Sequence, residues 1–175
     1  MKDEHLVLFV ALLAIAFVSL IAFTPFLNKS FTGHAVSDKG SSVSFSVQAA
    51  GTLYAGQGPL MQLWVRQKDT SNWKRLTQWH VQGEGYHTYA YIGKLSNGSY
   101  ELAIVYPNDA SGSGQDRDLF LNSIKINENV FFLTDTSYVF DQGVGRNALN
   151  DKNTAEIKHG ILRENGALRN LFFSV

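Results

Sequence analysis

The chain has 175 residues, enough for one domain and a short appendage, and its 15 basic and 15 acidic residues cancel. That balance excludes a strong pull towards nucleic acid or acidic lipid. The absence of cysteine excludes a disulfide framework, thiolate metal sites and cysteine catalysis together.

From Leu6 to Phe23 every residue but Ser19 is apolar, and no charge follows until Lys29. Eighteen residues at a helical rise span about 27 Å, close to the hydrocarbon thickness of a bilayer. The apolar residues run round every face, so the pattern predicts a membrane segment at residues 6–23. Lys2 is offset by Asp3 and Glu4, and the nearest small-x-small site, Gly33-His34-Ala35, lies well beyond the apolar run. Both features favour an uncleaved anchor over a cleaved signal. The expected location is the cell membrane, single-pass, with the following domain extracellular, or secreted if the segment is cleaved. Residues 24–40 contain Pro, Gly and Ser without sustained period and read as a linker.

From Ser42 the period becomes two: Val43, Phe45 and Val47 alternate with Ser44, Ser46 and Gln48. Residues 51–59 break the pattern. Further strands are expected at Met61–Val65, Trp73–Val81, Tyr86–Ile92, Tyr100–Tyr106, Leu119–Ile126 and Val130–Leu133, with Asn97-Gly98 as a hairpin turn. Residues 155–175 are ambiguous, and Leu171–Val175 reads as a closing strand. No helix of ten or more residues is indicated in this region. The predicted fold is all-β, an antiparallel jelly-roll-like sandwich over residues 41–175, behind the helix at 1–23 and the linker at 24–40.

The segment between two apolar strands, residues 108–118, gathers Asn108, Asp109, Asp116 and Asp118 around Gly112 and Gly114. Calcium takes six to eight oxygens, and carboxylates, amide oxygens and backbone carbonyls all serve. Composition alone fits either a solvated acidic loop or a cation site. Three carboxylates at close quarters repel unless a cation or Arg117 lies among them. The spacing is not that of an EF-hand.

Two runs carry a resemblance. Ala50-Gly-Thr-Leu-Tyr-Ala-Gly-Gln-Gly-Pro-Leu-Met-Gln-Leu-Trp-Val65 resembles the A-x-G-T-x-A-G turn and M-x-L-W/Y-V strand that open the calcium-dependent, xylan-binding carbohydrate-binding modules. Val105-Tyr-Pro-Asn-Asp-Ala110 with Asp116-Arg-Asp-Leu-Phe-Leu-Asn-Ser-Ile-Lys-Ile-Asn127 is similar to their second signature. That signature reads F-x-N-D-A/G, a glycine loop, then D-R-N-L-Y-V-D-x-I-x-V-N-G. The match spans residues 42–132, and Gly166-Ala-Leu-Arg-Asn-Leu-Phe-Phe173 is similar to the closing strand. This chain has Asp118 where the family has Asn, Asn122 where it has Asp, and Asn127-Glu128 where it has Asn-Gly. The resemblance implies a non-catalytic module that binds a xylan-like or other β-linked polysaccharide through Ca²⁺. It implies Asp109 and Asp116 as the main carboxylate ligands, with Asp118, Asn108 and the carbonyls of 110–115 beside them. Tyr54 and Arg117 join Asp109 and Asp116 as the expected sugar contacts. The competing reading is a pilin-like or envelope subunit without glycan binding, for which Met1–His5 lacks the usual basic leader.

Trp64, mid-strand among apolar neighbours, is expected in the core, while Trp73 and Trp79 are divided between core and surface. The histidines never pair at ligand spacing, and no serine-hydrolase, phosphate-loop or zinc-protease motif is present. Glu84, Glu101, Asp135 and Asp141 could supply a glycosidase pair only if the fold gathered two of them, and solvated strand ends are expected instead.

Overall fold

The computed structural model describes residues 40–133, 138–152, 154–157 and 159–175. The expected membrane segment lies outside them, as does the linker up to residue 39. Among the described residues no helix is long and apolar enough to cross a membrane. Internal contacts divide the chain into Met1–Asp38 and Lys39–Val175, and all described residues belong to the second unit.

That unit is built from β1 (Gly40–Gly51), β2 (Leu60–Gln67), β3 (Lys74–His80), β4 (His87–Ser96), β5 (Ser99–Tyr106), β6 (Ser111–Gly112), β7 (Gln115–Asp116), β8 (Leu119–Ile126), β9 (Asn129–Phe132), β10 (Tyr138–Gln142), β11 (Thr154–Ile157), β12 (Ile161–Leu162) and β13 (Gly166–Ser174). Every pairing between them is antiparallel. One sheet runs β12-β8-β1-β4 with β9 also on β8, a second runs β11-β10-β13-β5-β2-β3, and β6-β7 form a small hairpin. The only helical element among the described residues is the 3₁₀ turn Gly145–Leu149. Asn97-Gly98 joins β4 to β5 as the sequence predicts.

The alternation in β1 decides its faces. Val43, Phe45 and Val47 are buried and enter a single cluster with Leu63, Leu102, Ile104, Leu168 and Leu171 from the opposite sheet. The serines between them are half-buried or exposed. Each fully buried aliphatic or aromatic side chain contributes about 1.5–3 kcal/mol. This packed interior replaces the cross-links that a chain without cysteine cannot make. The closing strand is longer than expected. It starts at Gly166 because residues 166–168 pair with Tyr106, Val105 and Ile104 of β5 before a bulge at 169–170.

β5 is buried along almost its whole length. Its second face lies under a smaller cluster of Ala103, Val105, Ala167, Ala148 and Leu149, with Trp64 and Trp73 packed against it. Trp64 is therefore half-buried on the outer face of the second sheet and not in the main core, contrary to expectation. Its indole N–H donates to Gln62 Oε1 at 3.0 Å, and the Arg75 guanidinium lies 6.0 Å from its ring. Trp79 does pack on the main core, 6.0 Å from the ring of Tyr89.

The same outer face holds an ion network. Arg169 donates to Glu101 Oε1 at 3.2 and 3.1 Å through Nε and Nη2, to Asp141 Oδ2 at 3.3 Å, and to Asp151. Arg66 donates to Glu101 Oε2 at 2.7 Å. Glu101 and Arg169 are each 2 % exposed and Asp141 is 0 %. These acids are not solvated strand ends. Arg169 gathers them, Arg66 shares Glu101, and both acids are held in ion pairs. Asp135 lies outside the described residues.

Candidate functional site

The acidic segment expected as an irregular loop is a tight hairpin. Ser111 pairs with Asp116 and Gly112 with Gln115, and the corner residues Ser113 and Gly114 have φ of 52° and 76°. Positive φ at both corners is what a type I′ turn requires. A second tight turn lies alongside it. Tyr54 and Gln57 exchange backbone hydrogen bonds at 3.0 Å, with Ala55 and Gly56 at φ of 51° and 75°.

Arg117 locks the two together. Its guanidinium, in a side chain only 7 % exposed, donates to the carbonyls of Gln57 at 3.0 Å, Asn108 at 2.6 Å and Tyr54 at 3.1 Å. It also lies 5.7 Å from the Tyr54 ring. Thr52 adds a second tie: its hydroxyl donates to the Asp116 carbonyl at 2.6 Å and accepts from the Asp118 N–H at 2.7 Å. Three of its N–H donors go to backbone carbonyls, so Arg117 positions the site. The same holds for the side chain of Asn108, whose Oδ1 accepts from the Leu60 N–H at 2.6 Å and whose amide donates to the Gly58 carbonyl at 3.3 Å. Both of its ends are engaged, so it shapes the turn. Gly58 is needed where it sits, since a Cβ there would lie 2.0 Å from the Val81 carbonyl oxygen.

Around this frame stand the three aspartates. Asp116 is exposed, and Asp109 and Asp118 are half-buried. Asp118 Oδ1 is shielded from solvent and has no hydrogen-bond partner. Burial first, then the charge of Asp116, holds the carboxyls of both Asp109 and Asp118 above the usual range. Arg163 moderates the effect at Asp118, and a hydrogen bond from Tyr106 moderates it at Asp109. The Tyr106 hydroxyl donates to the Arg117 carbonyl and lies 3.4 Å from Asp109 Oδ1. Its own pKa is raised, by burial first and then by Asp109. Tyr54 is half-buried beside the hairpin, its hydroxyl 3.0 Å from where a Cβ on Gly112 would be.

Among the described residues no group of three or more acidic or imidazole side chains is close enough to hold a metal by itself. A cation here would need backbone oxygens as well. The donor chemistry fits a hard cation: a shielded carboxylate oxygen without a partner, two neighbouring carboxylates and no competing thiol or imidazole. An orphaned carboxylate oxygen is costly to keep.

Three neighbours escaped the sequence reading. Asn165 Oδ1 accepts from the Asp109 N–H at 2.8 Å, and Gln142 donates to Glu164. With Val144 and Asp109 these line an open depression of about 400 Å³ beside the hairpin. They lie at least 33 residues from Asp109 in sequence, in segments with no motif to mark them.

A family model described as CBM60, Ca-dependent carbohydrate-binding module xylan-binding, matches residues 44–148, more than half of the chain. The chain belongs to that family. As a carbohydrate-binding module it is not an enzyme. Among solved structures it is similar to "vCBM60 in complex with galactobiose", at 18% identity and a TM-score of 0.50, covering 74% of this chain and 99% of that one. The selenomethionine form of vCBM60 matches at 19% identity and a TM-score of 0.49, covering 73% and 88%. No protein of curated function matches the chain. At 18% identity the first likeness concerns the fold alone, and it agrees with the antiparallel sandwich.

Proposed function

We propose that this module binds a xylan-like or other β-linked polysaccharide at the cell surface through a Ca²⁺ ion held at the 108–118 hairpin. The observation that carries the reading is the shielded, unpartnered Asp118 Oδ1 among the carboxylates of Asp109 and Asp116. Asp109, Asp116 and Asp118 would hold the ion, with backbone carbonyls from residues 110–115. When bound, Ca²⁺ supplies charge to the cluster and open positions that vicinal sugar hydroxyls can take in place of water. The chain's own residues do the rest. Arg117 and Thr52 hold the hairpin against the Tyr54 turn, Tyr54 edges the sugar, and the depression lined by Glu164 and Asn165 receives the neighbouring ring. The tryptophans are a weaker platform, because Trp73 already lies 4.8 Å from Arg66 and 5.2 Å from Arg169.

Calcium at one hundred times its Kd should raise stability by about 2.7 kcal/mol, read as a higher Tm. Replacing both Asp109 and Asp116 by Ala should remove that rise and all calcium-dependent binding of xylohexaose or galactobiose in isothermal titration. Trp73→Ala and Trp79→Ala should weaken binding less. An unchanged wild-type melting curve in EDTA would defeat the reading.

Residues 6–23 place the module at the membrane in this proposal. Full-length protein should sediment with membranes and resist carbonate extraction. A mature N-terminus at Val36 would instead mean cleavage after Ala35 and secretion.

A further inference from the structure

The outer face of the second sheet carries a cavity that the hairpin site does not use. Arg66, Glu101 and Phe172 form one cross-strand row over β2, β5 and β13, because Glu101 pairs with both of the others. Directly opposed residues in an antiparallel pair point to the same face. The row and Arg169 floor a cavity of about 460 Å³, whose rim includes Lys68, Ser71 and Asn170. We propose that this cavity is a second glycan-binding site, independent of any cation.

Three features define the ligand class. The lining charges balance, with Arg66, Lys68 and Arg169 set against Asp69, Glu101 and Asp151. A lining of no net charge discriminates against an anion or a cation and suits a neutral ligand rich in both donors and acceptors. Phe172 is 53 % exposed in the floor of a polar cavity. A flat apolar ring among hydrogen-bonding groups matches a pyranose, which has an apolar face and a rim of hydroxyls. The floor is also rigid. Glu101 and Arg169 are buried at 2 % exposure and hold each other at 3.1 Å, and Arg66 braces Glu101 from the other side. Binding there orders little that is not already ordered, which reduces its entropic cost.

The place of the cavity separates it from the hairpin site. Glu101 stands at the start of β5 and Tyr106 at the end that feeds the hairpin. Five strand steps put them roughly 17 Å apart. A polysaccharide could engage both sites at once, so each weak site would raise the apparent affinity of the other.

The test is titration of the full chain with xylohexaose and galactobiose, followed by backbone amide shifts and isothermal titration, with and without EDTA. In EDTA the wild type should keep a weak, saturable binding event that moves the amides of Phe172, Asn170 and Ser71. Phe172→Ala should weaken that event at least tenfold while leaving the calcium-dependent event intact. The Asp109/Asp116 double Ala variant should retain it. Lys68→Ala, a change at an exposed rim residue, should weaken it several-fold without affecting the fold. No shift of those amides with either sugar in EDTA, or shifts that survive Phe172→Ala, would overturn the second site. Loss of the calcium-dependent event alone would count against the hairpin reading and leave this one standing.

Discussion

Arg117→Ala is expected to remove about 3–5 kcal/mol of folding stability and to abolish calcium-dependent glycan binding even at saturating calcium. A hydrogen bond from a charged donor contributes roughly 1.5–3 kcal/mol, and Arg117 makes three to backbone carbonyls from a nearly buried position. The full sum is not expected, because part of the vacated space opens to water that can hydrate the carbonyls. The effect on binding follows from geometry. Without the guanidinium nothing of comparable strength holds the Tyr54 turn against the carbonyl of Asn108, and the hairpin loses its backing. Arg117→Lys should recover less than half of the loss, since an ammonium presents its donors from one nitrogen and cannot span oxygens that Nε, Nη1 and Nη2 reach separately. Urea unfolding followed by tryptophan fluorescence measures the first effect and calorimetry the second. A wild-type midpoint for Arg117→Ala would show that the clamp is redundant.

Arg169→Met should cost a similar amount, about 3–5 kcal/mol, for a different reason. The substitution keeps most of the volume but leaves buried Asp141 without its cation and buried Glu101 with Arg66 alone. In the wild type, burial lowers the Arg169 pKa, but hydrogen bonds and charge from Asp151 and Glu101 outweigh it and the net shift is upward. The arginine stays charged and the network is stable across the working range. In the variant a buried negative charge is left without full compensation, and burial disfavours the charged form. That penalty fades as acid protonates the carboxyl. Arg169→Met should therefore regain stability on acidification from pH 7 towards pH 5. Adding Glu101→Gln and Asp141→Asn should recover much of the loss at pH 7 and flatten that dependence. Thermal melts of the single and triple variants over this range are the measurement. A single variant equally destabilised at both pH values would refute the charge explanation.

The sequence alone determined what is local. A period of two in Val43–Val47 assigns the faces of β1 because side chains alternate over single steps, and Asn97-Gly98 marks the β4–β5 turn because those residues tolerate its backbone conformation. The acidic segment was legible, though not as a hairpin, because Asn108, Asp109, Asp116 and Asp118 fall within eleven residues of each other. The family signatures added order and spacing. What the sequence left open was which partner each face meets. Trp64 reads as core because its neighbours are apolar, yet β2 has two covered faces, and only the position of the 3₁₀ turn and the 68–73 loop shows that it lies on the outer one. Glu101 and Asp141 read as solvated acids because their common partner, Arg169, is 28 or more residues away. Asn165 reaches Asp109 only because Gly166 pairs with Tyr106. Strand pairing joins segments far apart in the chain, and its hydrogen bonds run between backbones that carry no residue-specific signal. The composition of the candidate site is therefore written locally, while its scaffold and the buried ion network come from the pairing of strands.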